Sequence, residues 1–184
     1  MLFYIHGFGS SGFSKKATLL KEYFGEKKVF SPSLSHIPDL AIDTLQQMIE
    51  GLQPYHDITL IGSSLGGYYS HYLADRYDLK AILINPAVYP YNTLAKNIGL
   101  NHSYHDESDY GFIQGHIDAL KAYEVEEFDA SRFLVLLQTG DEVLDYQEAK
   151  EKYHDSQLYI QEGGNHSFEN FSNKMGLIEK FTQA

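Results

Sequence analysis

The chain has 184 residues, 43% of them hydrophobic and 14% aromatic, which is enough for one globular domain that buries about 70% of its unfolded surface. A formal net charge of −11 with two arginines, Arg76 and Arg132, excludes the clustered cations that a nucleic-acid surface needs. With no cysteine there can be no disulfide, thiolate metal site or cysteine nucleophile, and no apolar run approaches the roughly 20 residues that cross a bilayer.

Taken in order, the chain opens on Leu2–His6, an apolar run without the basic start or small-residue cleavage site of a signal peptide. It reads as a strand of the mature fold, and the expected compartment is the cytoplasm. Ser14–Phe24 follows with Ala17, Leu20 and Phe24 on one helical face. Next come a short strand, Lys28–Ser31, and a helix, Asp39–Leu52, with Ile42, Leu45, Ile49 and Leu52 at three-to-four spacing. Ile58–Gly62 is a strand feeding a helix over Leu65–Tyr77. Further strands are expected at Ala81–Asn85, Phe133–Gln138 and Leu158–Gln161, with shorter helices at Tyr146–His154 and Asn173–Thr182. Several of these strands are apolar throughout rather than alternating, as in a parallel sheet covered on both faces. The pattern predicts one α/β domain over 1–184, doubly wound, with six mostly parallel strands and helices on both faces. The stretch from Pro86 to Ser131 breaks the alternation. It is polar, it carries Tyr89, Tyr91, Tyr104, Tyr110 and Tyr123, and Ile113–Tyr123 reads as a helix within it. Segment 86–131 is therefore expected to form a small helical cap over the strand ends, with an aromatic-lined pocket beneath it.

Between the third strand and its helix lies Gly62-Ser63-Ser64-Leu65-Gly66, of the form Gly-x-Ser-x-Gly. In that setting a sharp turn lifts Ser64 above the sheet edge, and glycines flank it because side chains there would strike neighbouring backbone. Ser63 sits at the variable position and points elsewhere. A serine hydroxyl needs a base to take its proton and a third group to orient the base. Past the fifth strand the chain offers Asp141, and past the sixth it offers His166, in the order Ser, acid, His of α/β-hydrolases. Gly163 and Gly164 would let the loop bend the imidazole back towards Ser64. Glu142 and Asp145 compete with Asp141, but Asp145-Tyr146-Gln147-Glu148 reads as a capping box that accounts for Asp145.

The oxyanion hole is assigned to the backbone N–H groups of Leu65, at the start of its helix, and of Phe8, in the glycine-rich turn after the first strand. Gly7-Phe8-Gly9-Ser10-Ser11-Gly12 matches a dinucleotide fingerprint by letter alone, since no acidic residue ends the second strand to hold a ribose. The other histidines (His36, His56, His71, His102, His105, His116 and His154) read as surface or packing residues. None has metal-site spacing, so neither a metal nor a cofactor is expected.

These residues fall within longer blocks: Tyr4-Ile5-His6-Gly7-Phe8, Gly62-Ser63-Ser64-Leu65-Gly66-Gly67-Tyr68-Tyr69, Asn85-Pro86-Ala87-Val88, Gln138 to Tyr146 and Glu162 to Phe168. Together they resemble the YqiA-type family of small bacterial esterases over nearly the whole chain. The resemblance implies a minimal α/β-hydrolase lacking the superfamily's first strands, with Ser64, Asp141 and His166 as triad. It implies a cytoplasmic carboxylic-ester hydrolase for short acyl chains. The expected partner is a small acyl ester, with no nucleic acid and no membrane. An acyl-CoA thioesterase using the same triad is the first alternative. A catalytically retired hydrolase fold kept for binding is the second, against which the intact Ser, Asp, His order argues.

Overall fold

The computed structural model describes all residues from Met1 to Ala184. Six strands, β1 (Leu2–Ile5), β2 (Val29–Phe30), β3 (Thr59–Ser63), β4 (Lys80–Ile84), β7 (Phe133–Gln138) and β8 (Gln157–Gln161), form one sheet in the order β2-β1-β3-β4-β7-β8. Every pairing in it is parallel. A parallel sheet must be covered on both faces, and the strands divide their side chains accordingly. Phe3, Ile5, Leu60, Leu83, Phe133 and Val135 join one core. Their neighbours Leu2, Tyr4, Ile61, Ile82, Leu134 and Leu136 join the other. Burying both sets produces the uninterrupted apolar runs visible in the sequence.

The first core is closed by α2 (Pro38–Leu52), α3 (Leu65–Tyr77), α5 (Gln114–Leu120) and α6 (Tyr146–Lys152), through residues such as Leu45, Ile49, Leu73, Leu120 and Ala149. The second is closed by α1 (Lys15–Phe24) and α7 (Met175–Gln183), through Ala17, Leu20, Met175, Ile178 and Phe181. The read boundaries of α3 match and those of α1, α2, α6 and α7 fall within two residues, whereas α5 ends at Leu120 and the rest of the read span, Lys121–Tyr123, is a 3₁₀ turn. Pro38 extends α2 by one residue at its N-terminus, where a missing N–H costs nothing.

Segment 86–131 is more mixed than the helical cap expected from the sequence. It contains α4 (Pro90–Thr93), a 3₁₀ turn at Leu94–Asn97, a hairpin of β5 (Gly99–His102) and β6 (Asp109–Phe112), and then α5. The hairpin is antiparallel and forms its own two-stranded sheet. It lies over the turn after β1: Tyr104 N–H donates to Gly9 O at 2.8 Å, and the Phe8 ring meets Phe112 edge-on at 4.9 Å.

The strand order positions the site. From β1 the chain turns outward to β2, then returns past β1 to β3 and continues the other way to β4. The loops after β1 and β3 therefore diverge, and a crevice opens at their carboxyl ends.

Candidate active site

Ser64 stands in that crevice, between β3 and α3, with φ 56° and ψ −120°. For a residue with a Cβ this backbone costs on the order of 1–3 kcal/mol and persists only where neighbours hold it. Here the Ser64 N–H donates to Ile84 O at 3.1 Å, and Ser64 O accepts from Gly67 N–H at 2.9 Å and Ala87 N–H at 3.1 Å. The flanking glycines are required by space. A methyl group at Gly62 would strike Gly66 O, and one at Gly66 would strike Ile5 O. Ser63, the neighbouring hydroxyl, is 5% exposed at the end of β3.

His166 arrives from the loop after β8. Gly163 and Gly164 both have positive φ, 72° and 76°, and carry the bend that returns the imidazole to Ser64. His166 Nε2 lies 3.0 Å from Ser64 Oγ, and His166 Nδ1 lies 2.8 Å and 3.0 Å from the two Asp141 oxygens. This fixes the tautomer, with Nδ1–H donating to Asp141 and Nε2 free to accept the serine proton. The Asp141 side chain is 2% exposed. Burial pushes its carboxyl up, but bonds from His166 and from the Leu144 and Val143 N–H groups outweigh that, so it lies below the usual carboxylate range.

The two rival acids have other duties. Asp145 accepts the Gln147 N–H at 2.9 Å as the cap of α6, although Glu148 makes no reciprocal bond to complete a capping box. Glu142 accepts the His166 backbone N–H at 2.9 Å.

Phe8 and Leu65 line the same cleft as Ser64 and His166. Leu65 is the first residue of α3, so its N–H has no carbonyl a turn earlier to reach. The Phe8 N–H makes no hydrogen bond within the protein. The turn that carries it is braced by His6, a residue of the motif with no separate role in the sequence reading. His6 Nδ1–H donates to Gly7 O at 2.8 Å, while His6 Nε2 accepts the Leu34 N–H at 2.9 Å. Burial lowers the His6 pKa, keeping the ring in the neutral form that both bonds require.

Two buried amides outside the sequence expectations hold the His166 loop. Asn85 Nδ2 donates to the carbonyls of Asn165 (3.1 Å) and His166 (3.3 Å), and its Oδ1 accepts the Gln138 N–H at 2.9 Å. Gln138 Oε1 accepts the N–H groups of Asn165 and Glu169, and its Nε2 donates to Glu169 O. The available signal was a single polar residue closing each of two apolar strands.

The cleft has a volume of about 860 Å³. Of the five tyrosines expected to line it from segment 86–131, only Tyr104 does so. Tyr91 and Tyr123 instead bond Glu124 and Asp39, because a half-buried phenol has to satisfy its hydroxyl. Lys16 also faces the cleft. Burial lowers its ammonium pKa to about 8, against the opposing pull of Asp141. No three His, Asp or Glu side chains gather into a metal-holding group, and no helix is long and apolar enough to cross a membrane.

Comparison with known proteins agrees with this architecture. Est1E from Butyrivibrio proteoclasticus, solved with ferulic acid bound, superposes with a TM-score of 0.73 at 16% identity, over 99% of this chain and 86% of that one. A monoacylglycerol lipase from Paleococcus ferrophilus gives 0.68 at 16% identity, over 99% and 93%. At such identities the likeness establishes the α/β-hydrolase fold. In sequence, the chain is 28% identical to a UPF0227 protein of Citrobacter koseri and 26% identical to the UPF0227 protein YcfP of Escherichia coli, with 98% of each chain covered. Residues 1–183 match the family described as "Uncharacterised protein family (UPF0227)". This is the YcfP and YqiA type to which the motif blocks pointed. The chain belongs to the UPF0227 family and carries it on an α/β-hydrolase fold.

Proposed function

We propose that the protein is a serine hydrolase of carboxylic esters, with Ser64 as nucleophile, His166 as general base and acid, and Asp141 as the group that orients the imidazole. The observation that carries the reading is the unbroken hydrogen-bonded line from Ser64 Oγ through His166 to Asp141, at the wall of an open cleft.

His166 Nε2 takes the Ser64 proton as Oγ attacks the ester carbonyl. The Leu65 and Phe8 N–H groups receive the developing oxyanion, each contributing about 3 kcal/mol on the scale of known holes. The imidazolium then protonates the leaving alcohol, and a water activated by the same nitrogen releases the acid from the acyl-enzyme. Asp141 keeps Nδ1–H directed at itself and stabilises the charged ring. Segment 86–131 acts as the cap of this site, since Leu94, Lys96, Asn97 and Tyr104 stand on the cleft wall. The ferulic acid bound to Est1E and the lipase activity named for the Paleococcus protein are consistent with an acyl-ester substrate. A cysteine-free chain also suits a reducing compartment such as the cytoplasm.

The test is hydrolysis of p-nitrophenyl butyrate by Ser64→Ala. Turnover should fall at least about 10³-fold while the protein remains folded by circular dichroism. Undiminished turnover would refute the assignment.

A further inference from the structure

The lysines of this chain are unevenly placed. Acidic residues outnumber basic ones 25 to 14, yet the cleft is lined by Lys15, Lys16 and Lys96 against one carboxylate, Glu169. Asp141 offsets part of the Lys16 charge through space but forms no ion pair with it, because it is 2% exposed and already bonded to His166 and to two backbone N–H groups.

Lys15 and Lys16 open α1, whose first turn holds no acidic residue. Cations are disfavoured there, since the free N–H groups of a helix start carry partial positive charge. Lys16 is also partly buried, and its ammonium makes no hydrogen bond or ion pair within the protein. A charge that defies its helix end, gives up water and has no partner is poorly explained by stability. Lys96 lines the same cleft from a different element, the 3₁₀ turn of segment 86–131.

The position of α1 indicates which part of the substrate the lysines meet. Lys16 stands within electrostatic reach of Asp141, the carboxylate bonded to His166, and lines the cleft together with His166, Ser167 and Phe168. Lys16 thus stands on the His166 side of Ser64. The imidazolium must reach the leaving group to protonate it, so the alcohol portion of the ester lies on that side.

We propose that the cleft takes esters whose alcohol portion carries an anion, a carboxylate or a phosphate, held by Lys16 with Lys15 and Lys96 beside it. The inference rests on the esterase reading of Ser64 and narrows its substrate class.

The experiment compares 4-butyryloxybenzoate and 4-butyryloxyphenyl phosphate with the neutral methyl 4-butyryloxybenzoate. The ratio of kcat/KM, anionic over neutral, cancels effects on the shared chemistry. Lys16→Met should lower that ratio at least about tenfold, equivalent to about 1.4 kcal/mol. Lys16→Arg should keep it within a few-fold of the original, and added salt should lower it in the unmodified protein. The anion whose ratio falls further, carboxylate or phosphate, is the one the site takes.

A second arm measures binding without turnover. Ser64→Ala, titrated calorimetrically, should bind the anionic esters at least about tenfold more tightly than the neutral one, and adding Lys16→Met should abolish the difference. The proposal is overturned if Lys16→Met alters all three esters by one factor, or if Ser64→Ala binds them equally. Anion-selective binding without hydrolysis of any ester would reject the esterase reading and leave the anion site standing.

Discussion

Asn85 directly follows β4 with φ 39°, is 3% exposed, and makes three side-chain hydrogen bonds to backbone, two to the carbonyls of Asn165 and His166 and one from the Gln138 N–H. Asn85→Ala leaves the carbonyls of Asn165 and His166 and the N–H of Gln138 without those partners. At about 0.5–1.5 kcal/mol per bond, and less than additive, the loss of stability should be roughly 2–3 kcal/mol. The effect on catalysis follows from position. A shift of about 1 Å in the imidazole can cost on the order of 10²-fold in rate, so kcat should fall between about 10- and 100-fold. KM should change little, because Asn85 does not line the cleft. Asn85→Asp supplies the shape-matched control. Its second oxygen would face two carbonyl oxygens, so the loss should be greater at pH 8, where the carboxylate is ionised, than at pH 5, where more of it can donate one bond. Denaturant unfolding and p-nitrophenyl butyrate kinetics on the same preparations provide both readouts. An Asn85→Ala protein that is destabilised but keeps its full kcat would refute the reasoning, since His166 would then be held by Asp141 and Glu142 alone.

His71 is 2% exposed, bonded through Nδ1 to the Tyr153 hydroxyl, and its pKa is lowered to about 3 by burial and by Lys152. The folded ring resists protonation while the unfolded one titrates near 6.5, so its contribution to stability is complete above about pH 6.5 and is lost as pH falls towards 3. From pH 7 to pH 5 this site alone should cost about 2 kcal/mol. His71→Gln should flatten that part of the stability-against-pH curve, and equal slopes in both proteins would contradict the assignment. Gly66→Ala pushes a methyl group into Ile5 O and His6 O, where the turn bearing Phe8 begins. It should destabilise by about 1–3 kcal/mol and reduce kcat beyond that loss, as denaturant titration and ester kinetics on the folded fraction would reveal.

The parts of this molecule legible in its sequence are those governed by local physics. Buried parallel strands must be apolar along their length, as residues 133–137 are, and a strand-to-helix turn as tight as Ser64 must have glycine at 62 and 66. The hairpin in segment 86–131 was not legible. Gly99–His102 and Asp109–Phe112 are short and mostly exposed, so neither shows the apolar alternation that marks a strand. Asn85 and Gln138 escaped for a different reason. Their importance lies in contacts with residues tens of positions away, and in sequence each is only a polar residue at the end of an apolar run. A buried amide must find partners, which makes such strand-ending polar residues worth weighing in other sheets of this kind. Lys16 left a fainter trace, a cation where a helix start favours an acid.

The central claim is that Ser64, activated through His166 and Asp141, attacks an acyl carbon. Treating the native protein with a fluorophosphonate and locating the adduct by peptide mass spectrometry tests it most directly. A single adduct on Ser64, formed rapidly in the native protein and suppressed in His166→Ala, is the expected result. An adduct on Ser63, or none under conditions that keep the protein folded, would contradict the account.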